Sequence, residues 1–305
     1  MTGWVLGVDA GGTRTTAALA DPTGQVVASG KAGTGNFDHV GLDAMRQAIL
    51  SAAQMARDAA AYRGELAAAF FGVAGVTAPD DRSAVTAALQ DMAGKVQADH
   101  DCRVALAGGL AGEPGIALIA GTGSACYGRR ADGVSFRAGG WGSIAGDEGS
   151  AYWLGVAALR LAVRSHDGRG EKSLLEESVK QHLGIGAYDE LLTRLHRPQM
   201  SRADLAALAP LVTTAAAAGD RAACDELSRA GHDLADCVSA VANRLGWDST
   251  PVRVALIGGL FGEAAGLRGH LQAALAQKLP QARPVDPAMT PAAGACLLAR
   301  QLITG

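Results

Sequence analysis

Three short apolar runs separated by two tight turns fill the first thirty residues, and this pattern constrains the fold more than any other part of the chain. The turns are Asp9-Ala-Gly-Gly12 and Asp21-Pro-Thr-Gly24, and the runs around them cover 4–8, 13–20 and 25–29. Short runs joined by turns rich in Gly and Pro predict a β-meander. The chain therefore begins with three strands that pair in sequence order.

Later segments alternate between strand and helix patterns. We expect strands over 67–73, 116–120 and 252–257, and helices over 42–61, 80–92, 148–163, 171–245 (with breaks), 263–277 and 292–302. Strands mixed with helices throughout favour an α/β fold. The segment Gly112-Glu-Pro-Gly115 is a candidate boundary, which predicts an N-terminal lobe over 1–114 and a C-terminal lobe over 115–305.

Composition excludes several classes of protein. The 305 residues are 49% apolar and 19% charged, enough to bury a core, and the net charge is −3 with 27 basic and 30 acidic side chains. With this balance the chain lacks the excess of positive charge that is typical of proteins binding nucleic acid or an anionic membrane. The five cysteines are widely spaced, and we expect neither a disulfide framework nor a zinc site. Without a basic leader or a membrane-length apolar run, a cytoplasmic protein is expected.

The first turn has the chemistry of an anion site. Backbone N–H groups of Gly11 and Gly12 and the hydroxyls of Thr13 and Thr15 can donate hydrogen bonds to phosphate. Asp9, which enters the turn, is suited to hold the Mg²⁺ that phosphates bring. No GxxxxGK[ST] motif is present. The alternative is a plain glycine hairpin with an Asp at its turn.

A second loop of the same kind is Gly121-Thr122-Gly123-Ser124, which follows the strand predicted over 116–120. Alone it is no more than a hairpin turn, but two such loops with an Asp beside one of them suggest a triphosphate bound from two sides. The similarity between 104–112 and 254–262 carries little weight, because chains rich in Gly and Ala produce such matches by chance.

The segment 139–155 combines two of the four tryptophans, an acidic pair and several glycines. Asp147 and Glu148 lie where a helix is predicted to begin, a position that suits carboxylates for capping alone. Trp141 stands between glycines and lacks local packing partners, so its ring is a candidate ligand contact. This density of Gly, Trp and acid is difficult to explain as scaffold.

Gly140-Trp-Gly142 followed by Gly146-Asp-Glu-Gly-Ser-Ala-Tyr-Trp153 resembles the signature of N-acetylglucosamine kinases of the BadF-type ATPase family, in the superfamily of sugar kinases, actin and heat-shock chaperones. The two glycine loops resemble its phosphate motifs, and 254–262 resembles its nucleoside-binding turn. The resemblance implies two ribonuclease H-like lobes in an actin-like ATPase fold, with nucleotide and sugar in the cleft between them. A terminal helix at about 291–303 would pack back on the N-terminal lobe.

The resemblance also implies an activity, the ATP-dependent phosphorylation of the 6-hydroxyl of an amino sugar, most simply N-acetylglucosamine, with Mg²⁺ as cofactor. The segment His100-Asp-Cys-Arg-Val-Ala-Leu-Ala-Gly108 matches a family pattern of the type Asn-Asp-Ala-x-x-Ala-Leu-Ala-Gly. This match places the general base at Asp101, with Asp99 as a nearby rival. The implied contacts are Asn36, Gly140, Trp141 and Asp147 for sugar; Gly11, Gly12, Thr13, Thr15, Thr122, Gly123, Ser124, Gly258 and Gly259 for nucleotide; and Asp9 for metal.

Other functions remain open at this stage. Glucosamine is the next substrate to consider, and a sensor that binds amino sugar without phosphorylating it is a further alternative. An ATPase activator of radical dehydratases would share the family, but such proteins hold an iron–sulfur cluster through cysteines, and the cysteines here are scattered. Because dimers are common among relatives, a homodimer is a candidate state.

Overall fold

The computed structural model describes residues 3–262 and 266–304. Its strands are β1 Val5–Ala10, β2 Thr15–Ala20, β3 Val26–Ala32, β4 Ala68–Val73, β5 Lys95–His100, β6 Gly115–Ala120, β7 Ser124–Arg129, β8 Ser135–Gly139, β9 Val252–Ile257 and β10 Ala282–Val285. Its helices are α1 Phe37–Ala59, α2 Pro79–Ala88, α3 Asp101–Gly109, α4 Gly142–Ala145, α5 Ala151–His166, α6 Leu175–Leu183, α7 Leu191–His196, α8 Arg202–Ala206, α9 Ala209–Ala217, α10 Arg221–Leu245, α11 Leu267–Lys278 and α12 Pro291–Thr304. Three short 3₁₀ turns lie at Gln90–Met92, Tyr188–Glu190 and Gly259–Phe261.

The strands form two five-stranded sheets with the same internal order. The first runs β3-β2-β1-β4-β5, and the second, read from its far edge, runs β8-β7-β6-β9-β10. In the first sheet β1, β2 and β3 form an antiparallel meander, while β4 and β5 are added in parallel to β1. The predicted α/β fold with two ribonuclease H-like halves is confirmed. Each predicted phosphate loop connects the first and second strands of its sheet.

The chain divides into two compact units. One comprises Met1–Ala117, Arg129–Gly133 and Val285–Gly305, and the other comprises Leu118–Gly128 and Val134–Pro284. In the part of the chain that the structure describes, no helix combines the length and hydrophobicity needed to cross a lipid bilayer.

The first sheet is covered on both faces. On one face, the apolar side chains of β1 and β2 pack with Met45, Ile49 and other buried residues of α1. On the opposite face, Val5 and Phe70 pack with Val104 of α3 and with the small residues of α12. This arrangement explains why β1 and β4 are almost continuously apolar rather than alternating.

Several predicted boundaries shift because capping interactions depend on side chains that lie before the apolar pattern. Helix α1 extends further toward the N-terminus than the predicted start at 42, because a turn over 37–40 is capped by Asn36, which accepts the His39 N–H. Gly41 is non-helical (φ 74°, ψ 176°) and separates this turn from the predicted helix. Helix α5 begins at Ala151 rather than 148, capped by Ser150. The predicted helix over 80–92 is α2 followed by a 3₁₀ turn. The first residues of the helix predicted over 263–277 lie outside the described residues, and α11 is described from Leu267.

Four strands were not predicted, namely β5, β7, β8 and β10. Strands β5, β8 and β10 are at the edges of the sheets, and β7 is next to an edge strand. All four contain polar or charged residues that weaken the strand pattern. The sequence similarity of 104–112 and 254–262 has no structural counterpart, because the first is mostly α3 and the second is β9 with its following turn.

Helix α12 approaches α3 so closely that no side chain larger than the hydrogen atom of glycine fits between their backbones at Gly294. A β-carbon at Gly294 would lie 2.1 Å from the backbone nitrogen of Gly108 and 2.6 Å from the Val104 carbonyl oxygen. Because these neighbours are backbone atoms, a side chain could be accommodated only by moving one helix away from the other. The contact between α3 and α12 therefore depends on glycine at this position.

We expect Gly294→Ala to lower the free energy of unfolding by about 3 kcal/mol, toward the upper end of the usual cost of overpacking. The matched control is Gly269→Ala, at an exposed position of α11 where a β-carbon meets nothing within 4 Å. That control should keep or slightly raise the stability, by at most about 1 kcal/mol, because Ala is favoured over Gly in a helix and position 269 lies in the first turn of α11. Urea unfolding followed by circular dichroism measures both. Equal stability of the two variants would contradict the close helix contact.

Candidate active site

The carboxyl ends of three parallel strands bring acidic residues together. Asp9 of β1 is aligned with Gly72 of β4, which is aligned with Asp99 of β5. Asp101 follows two residues later as the first residue of α3. Because ligands of open α/β sheets bind outside the carboxyl ends of their strands, this edge is the expected place for a site.

Asp9 and Asp101 interact electrostatically, although 92 residues of sequence separate them. Burial of Asp9, with the nearby Asp101 carboxylate as the second cause, raises the pKa of Asp9 to about 7, and Arg14 acts in the opposite direction. Perturbed carboxyl groups of this kind are typical of functional sites. The structure thus pairs the predicted metal ligand with the predicted general base.

The surroundings of Asp99 differ from those of Asp101. Asp99 is buried, and its carboxylate lies 3.2 Å from Arg82 Nε and 3.3 Å from Arg103 Nη1. Two guanidinium groups therefore neutralise it. Asp101 is half-buried, and its Oδ1 accepts the backbone N–H of Cys102 at 2.9 Å. These contacts favour Asp101 over its rival as a proton acceptor.

The first glycine loop is fixed by hydrogen bonds on one side and exposed to solvent on the other. The Gly35 N–H and the Thr34 hydroxyl both donate to the Gly11 carbonyl oxygen, at 3.2 and 3.3 Å. Gly12 and Thr13, in contrast, are exposed. The loop therefore has a fixed shape and an accessible outer surface, as binding of an anion requires.

Thr15 and Asn36 lie behind and beside this loop. Thr15 is fully buried, and its hydroxyl has no hydrogen-bond partner among the residues that the structure describes. Asn36 caps α1 through its Oδ1, and a β-carbon at Gly12 would lie 3.9 Å from Asn36 Nδ2. The structure thus brings the predicted sugar ligand Asn36 next to the predicted phosphate loop.

The second glycine loop is packed against the beginning of α5. The N–H groups of Ala151 and Tyr152 donate to the carbonyl oxygens of Gly121 and Thr122, at 2.9 and 3.2 Å. The Ser124 hydroxyl donates to the Glu148 carbonyl oxygen at 2.7 Å. Residues before and within the first turn of α5 therefore fix the shape of this loop.

Asp147 connects this loop to α8. It is buried, its Oδ1 accepts the Ser124 N–H at 3.1 Å, and its Oδ2 forms an ion pair with Arg202. Its backbone φ of 64° is unusual for a residue other than glycine, and such conformations cluster at functional sites. Arg202 lies in the region where sequence patterns were least informative, and no sequence signal pointed to it.

Trp141 is 68% exposed, with the Arg137 guanidinium 5.3 Å from its ring centroid. The neighbouring Gly140 has a φ of 71°, a left-handed conformation that a glycine adopts without steric cost. An exposed indole held by a charged neighbour on a tightly turned segment can cover an apolar ligand face. The predicted sugar contact of Trp141 remains a prediction.

A pocket of about 360 Å³ opens beside the Gly-Gly turn. At this turn Gly258 has a φ of 124°, and a β-carbon there would lie 2.1 Å from the Ala120 carbonyl oxygen, so only glycine fits against the end of β6. The pocket is lined by Gly121, Ala151, Ala206, Ala207, Ala209, Pro210, Thr213, Gly259, Leu260 and Gly262. The sequence predicted that glycines would border this site. It did not predict that residues of α8, of α9 and of the segment joining them would form one wall of the pocket.

The donor set near Asp9 fits the Mg²⁺ that the family resemblance implies. Two carboxylates lie close together, and carboxylate oxygens are the protein ligands that Mg²⁺ prefers. The chemistry of these two carboxylates is therefore suitable for a hard divalent cation, which Asp9 would hold.

Comparison with known proteins identifies the family. The model of the BadF/BadG/BcrA/BcrD ATPase family matches residues 6–299. The chain belongs to this family. An N-acetylmuramic acid/N-acetylglucosamine kinase of Clostridium acetobutylicum is 29% identical over 303 residues, covering 97% of this chain and 98% of that protein. An N-acetyl-D-glucosamine kinase of Dictyostelium discoideum is 28% identical over 308 residues, covering 96% and 97%.

A solved structure leads to the same group. A candidate N-acetylglucosamine kinase from Chromobacterium violaceum is similar to this chain with a TM-score of 0.79 and 31% identity, over 97% of this chain and 98% of that one. The predicted resemblance to N-acetylglucosamine kinases of the BadF-type family is therefore confirmed. All five cysteines are free thiols in this member of the family, and three of them are buried.

We expect Asp9→Asn to change how stability depends on pH in the ligand-free protein. The pKa of Asp9 is raised from 3.8 to about 7 on folding, so the folded state holds this proton more tightly than the unfolded state. The wild-type protein should therefore lose stability as pH rises through this window, and Asn cannot contribute to that loss. As pH rises, the free energy of unfolding of the variant should increase relative to that of the wild type by up to a few kcal/mol, and above the pKa of Asp9 the difference should stay constant.

Thermal unfolding across this pH range, without nucleotide or divalent cations, measures the effect. The control is Asp43→Asn, at an exposed position of α1, which should follow the wild-type pH curve. Parallel curves for Asp9→Asn and the wild type would contradict the raised pKa of Asp9, which burial causes first and the Asp101 carboxylate second.

Proposed function

We propose that this protein is an ATP-dependent kinase that phosphorylates the 6-hydroxyl of an amino sugar, with N-acetylglucosamine as its preferred acceptor. The observation that carries the proposal is the position of Asp101 at the start of α3, next to Asp9 at the end of β1. Phosphoryl transfer requires alignment, charge neutralisation and a base for the acceptor hydroxyl. Asp101 can act as the base, and Asp9 can hold the Mg²⁺ that would neutralise the phosphate charge. Family membership and the relatives named above support the same activity.

In the proposed reaction, the Asp101 carboxylate accepts the proton of the sugar hydroxyl. The hydroxyl oxygen forms a bond to the γ-phosphorus of ATP, while the bond from that phosphorus to the bridging oxygen breaks and releases ADP. Backbone N–H groups of the loops at 11–13 and 121–123 stabilise the phosphate charge. Bound Mg²⁺ would neutralise phosphate oxygens, and Asp9 would hold it directly or through water.

The remaining residues act in binding. Asn36 and Trp141 are proposed to contact the sugar, Asn36 through its amide and Trp141 through the face of its exposed ring. Gly259, which follows Gly258 in the turn, lines the apolar pocket of about 360 Å³, and this pocket is proposed to hold the nucleoside. Asp147 is proposed to contact the sugar, and its hydrogen bond from the Ser124 N–H also supports the shape of the second glycine loop.

An ADP-release assay over a sugar panel tests this function. We expect the highest kcat/KM with N-acetylglucosamine, followed by glucosamine, with N-acetylmannosamine and glucose below them. N-acetylmuramic acid belongs in the panel because the name of one relative includes it. The matched control substrate is 6-deoxy-N-acetylglucosamine, which lacks the acceptor oxygen and should release no ADP above background. ADP release that does not depend on any sugar would contradict a kinase.

We expect Asp101→Asn to lower kcat by about 10²–10⁴-fold, the usual contribution of a positioned general base. The affinity for ATP should change little, because Asp101 is assigned to the acceptor hydroxyl and not to the nucleotide. Steady-state kinetics and direct nucleotide titration measure the two quantities separately.

The control for this variant is Asp99→Asn, which tests the rival base. It should reduce stability, because it removes a buried partner of Arg82 and Arg103, while leaving kcat within a few-fold of wild type. Loss of turnover in Asp99→Asn together with more than about a tenth of wild-type kcat in Asp101→Asn would assign the base to Asp99 instead.

A further inference from the structure

The candidate base is flanked on both sides by side chains that bind soft metals. His100, Asp101 and Cys102 are consecutive, and one ligand atom from each lies within 4.8 Å of the other two. Together they offer an imidazole nitrogen, a carboxylate oxygen and a sulfur atom. Mg²⁺ prefers oxygen ligands alone, whereas a mixed set of nitrogen, oxygen and sulfur is typical of Zn²⁺.

The backbone explains how three consecutive residues share one location. His100 is extended, with φ −66° and ψ 152°, and Asp101 begins α3. Successive side chains would point to opposite faces if the strand continued, but the change to helix at Asp101 interrupts that alternation. The junction between β5 and α3 therefore groups side chains that a regular strand would separate.

The distances are close to those of a zinc site. Cys102 Sγ lies 3.5 Å from Asp101 Oδ1. Tetrahedral zinc with bonds of about 2.0–2.3 Å places its ligand atoms roughly 3.3–3.8 Å apart. The sulfur and the carboxylate oxygen already have this separation, and the imidazole nitrogen, which lies within 4.8 Å of both, needs a shift of at most about 1 Å to reach it.

The environment also suits a bound cation. His100 Nε2 lies 3.8 Å from Asp99 Oδ1, so a carboxylate is near the imidazole, although the two side chains do not form a hydrogen bond at this distance. Asp9 adds a second carboxylate next to Asp101. Cys102 is 3% exposed, so a bond from its sulfur to a metal would be shielded from water.

Although the wide spacing of the cysteines predicts no zinc site, we propose that His100, Asp101 and Cys102 bind one Zn²⁺ ion, and that this ion inhibits the enzyme by occupying the carboxylate that accepts the sugar proton. On binding, the Cys102 thiol releases its proton to solvent and forms a sulfur–zinc bond, with no change of oxidation state. The binding site stands on the contacts above, while the inhibition rests on the proposed function of Asp101.

Cobalt titration of the metal-free protein tests the binding site independently of activity. Co²⁺ should produce a thiolate-to-cobalt charge-transfer band in the near ultraviolet, at one ion per chain, and Zn²⁺ should abolish it. The band should be absent in Cys102→Ser and weakened in His100→Asn. The control is Cys224→Ser, which removes a half-buried thiol of α10 and should leave the spectrum unchanged. The absence of a thiolate band in the wild type, or its survival in Cys102→Ser, would overturn the site.

A kinase assay in excess Mg²⁺ and without thiol reagents tests the inhibition. His100→Asn and Cys102→Ser replace the soft ligands and keep Asp101, so both should retain turnover while the Zn²⁺ concentration for half-inhibition rises at least about tenfold. Equal sensitivity of these variants and the wild type would overturn the inhibitory role. If no sugar supports turnover, the proposed function fails and the cobalt titration still decides the metal site.

Discussion

The close contact of α12 with β1 and α3 is the constraint on which the rest of the first unit depends. A β-carbon at Gly7 would lie 2.3 Å from the Ala292 carbonyl oxygen, and one at Gly294 would lie 2.1 Å from the Gly108 nitrogen. Because β1 ends near Asp9 and α3 begins at Asp101, the helix and strand positions set by these contacts also set the separation of the two carboxylates. The high glycine content is therefore partly a packing requirement and partly a requirement of the loops.

Placing Asp9 beside Asp101 costs stability in the ligand-free protein, since burial and the neighbouring charge both oppose ionisation of Asp9. Asp99, in contrast, forms ion pairs with Arg82 and Arg103, which neutralise its charge. Two carboxylates at the same sheet edge thus have different properties because their neighbours differ. Sites that violate local rules of stability in this way are commonly functional ones.

The two sheets share an order of strands and a glycine loop at the same connection, yet the loops differ in their surroundings. The first loop is exposed at Gly12 and Thr13, whereas backbone N–H groups at the beginning of α5 bind the carbonyl oxygens of the second. Helices inserted between β8 and β9 add Arg202 and the wall of the apolar pocket. A common strand framework therefore carries two different local environments.

Local patterns were enough to predict the opening meander, the glycine loops, several helices and the residue types of the site, because turns, periodicity and capping act over a few residues. The strands β5, β7, β8 and β10 were missed, since their residues become strands through pairing with distant partners. The sequence alone determined which chemical groups this protein has available, including Asp9, Asp101 and the loop hydroxyls. Only the tertiary structure decided which of them meet: parallel pairing of β1, β4 and β5 brings Asp9 to Asp101, and packing of α8 brings Arg202 to Asp147.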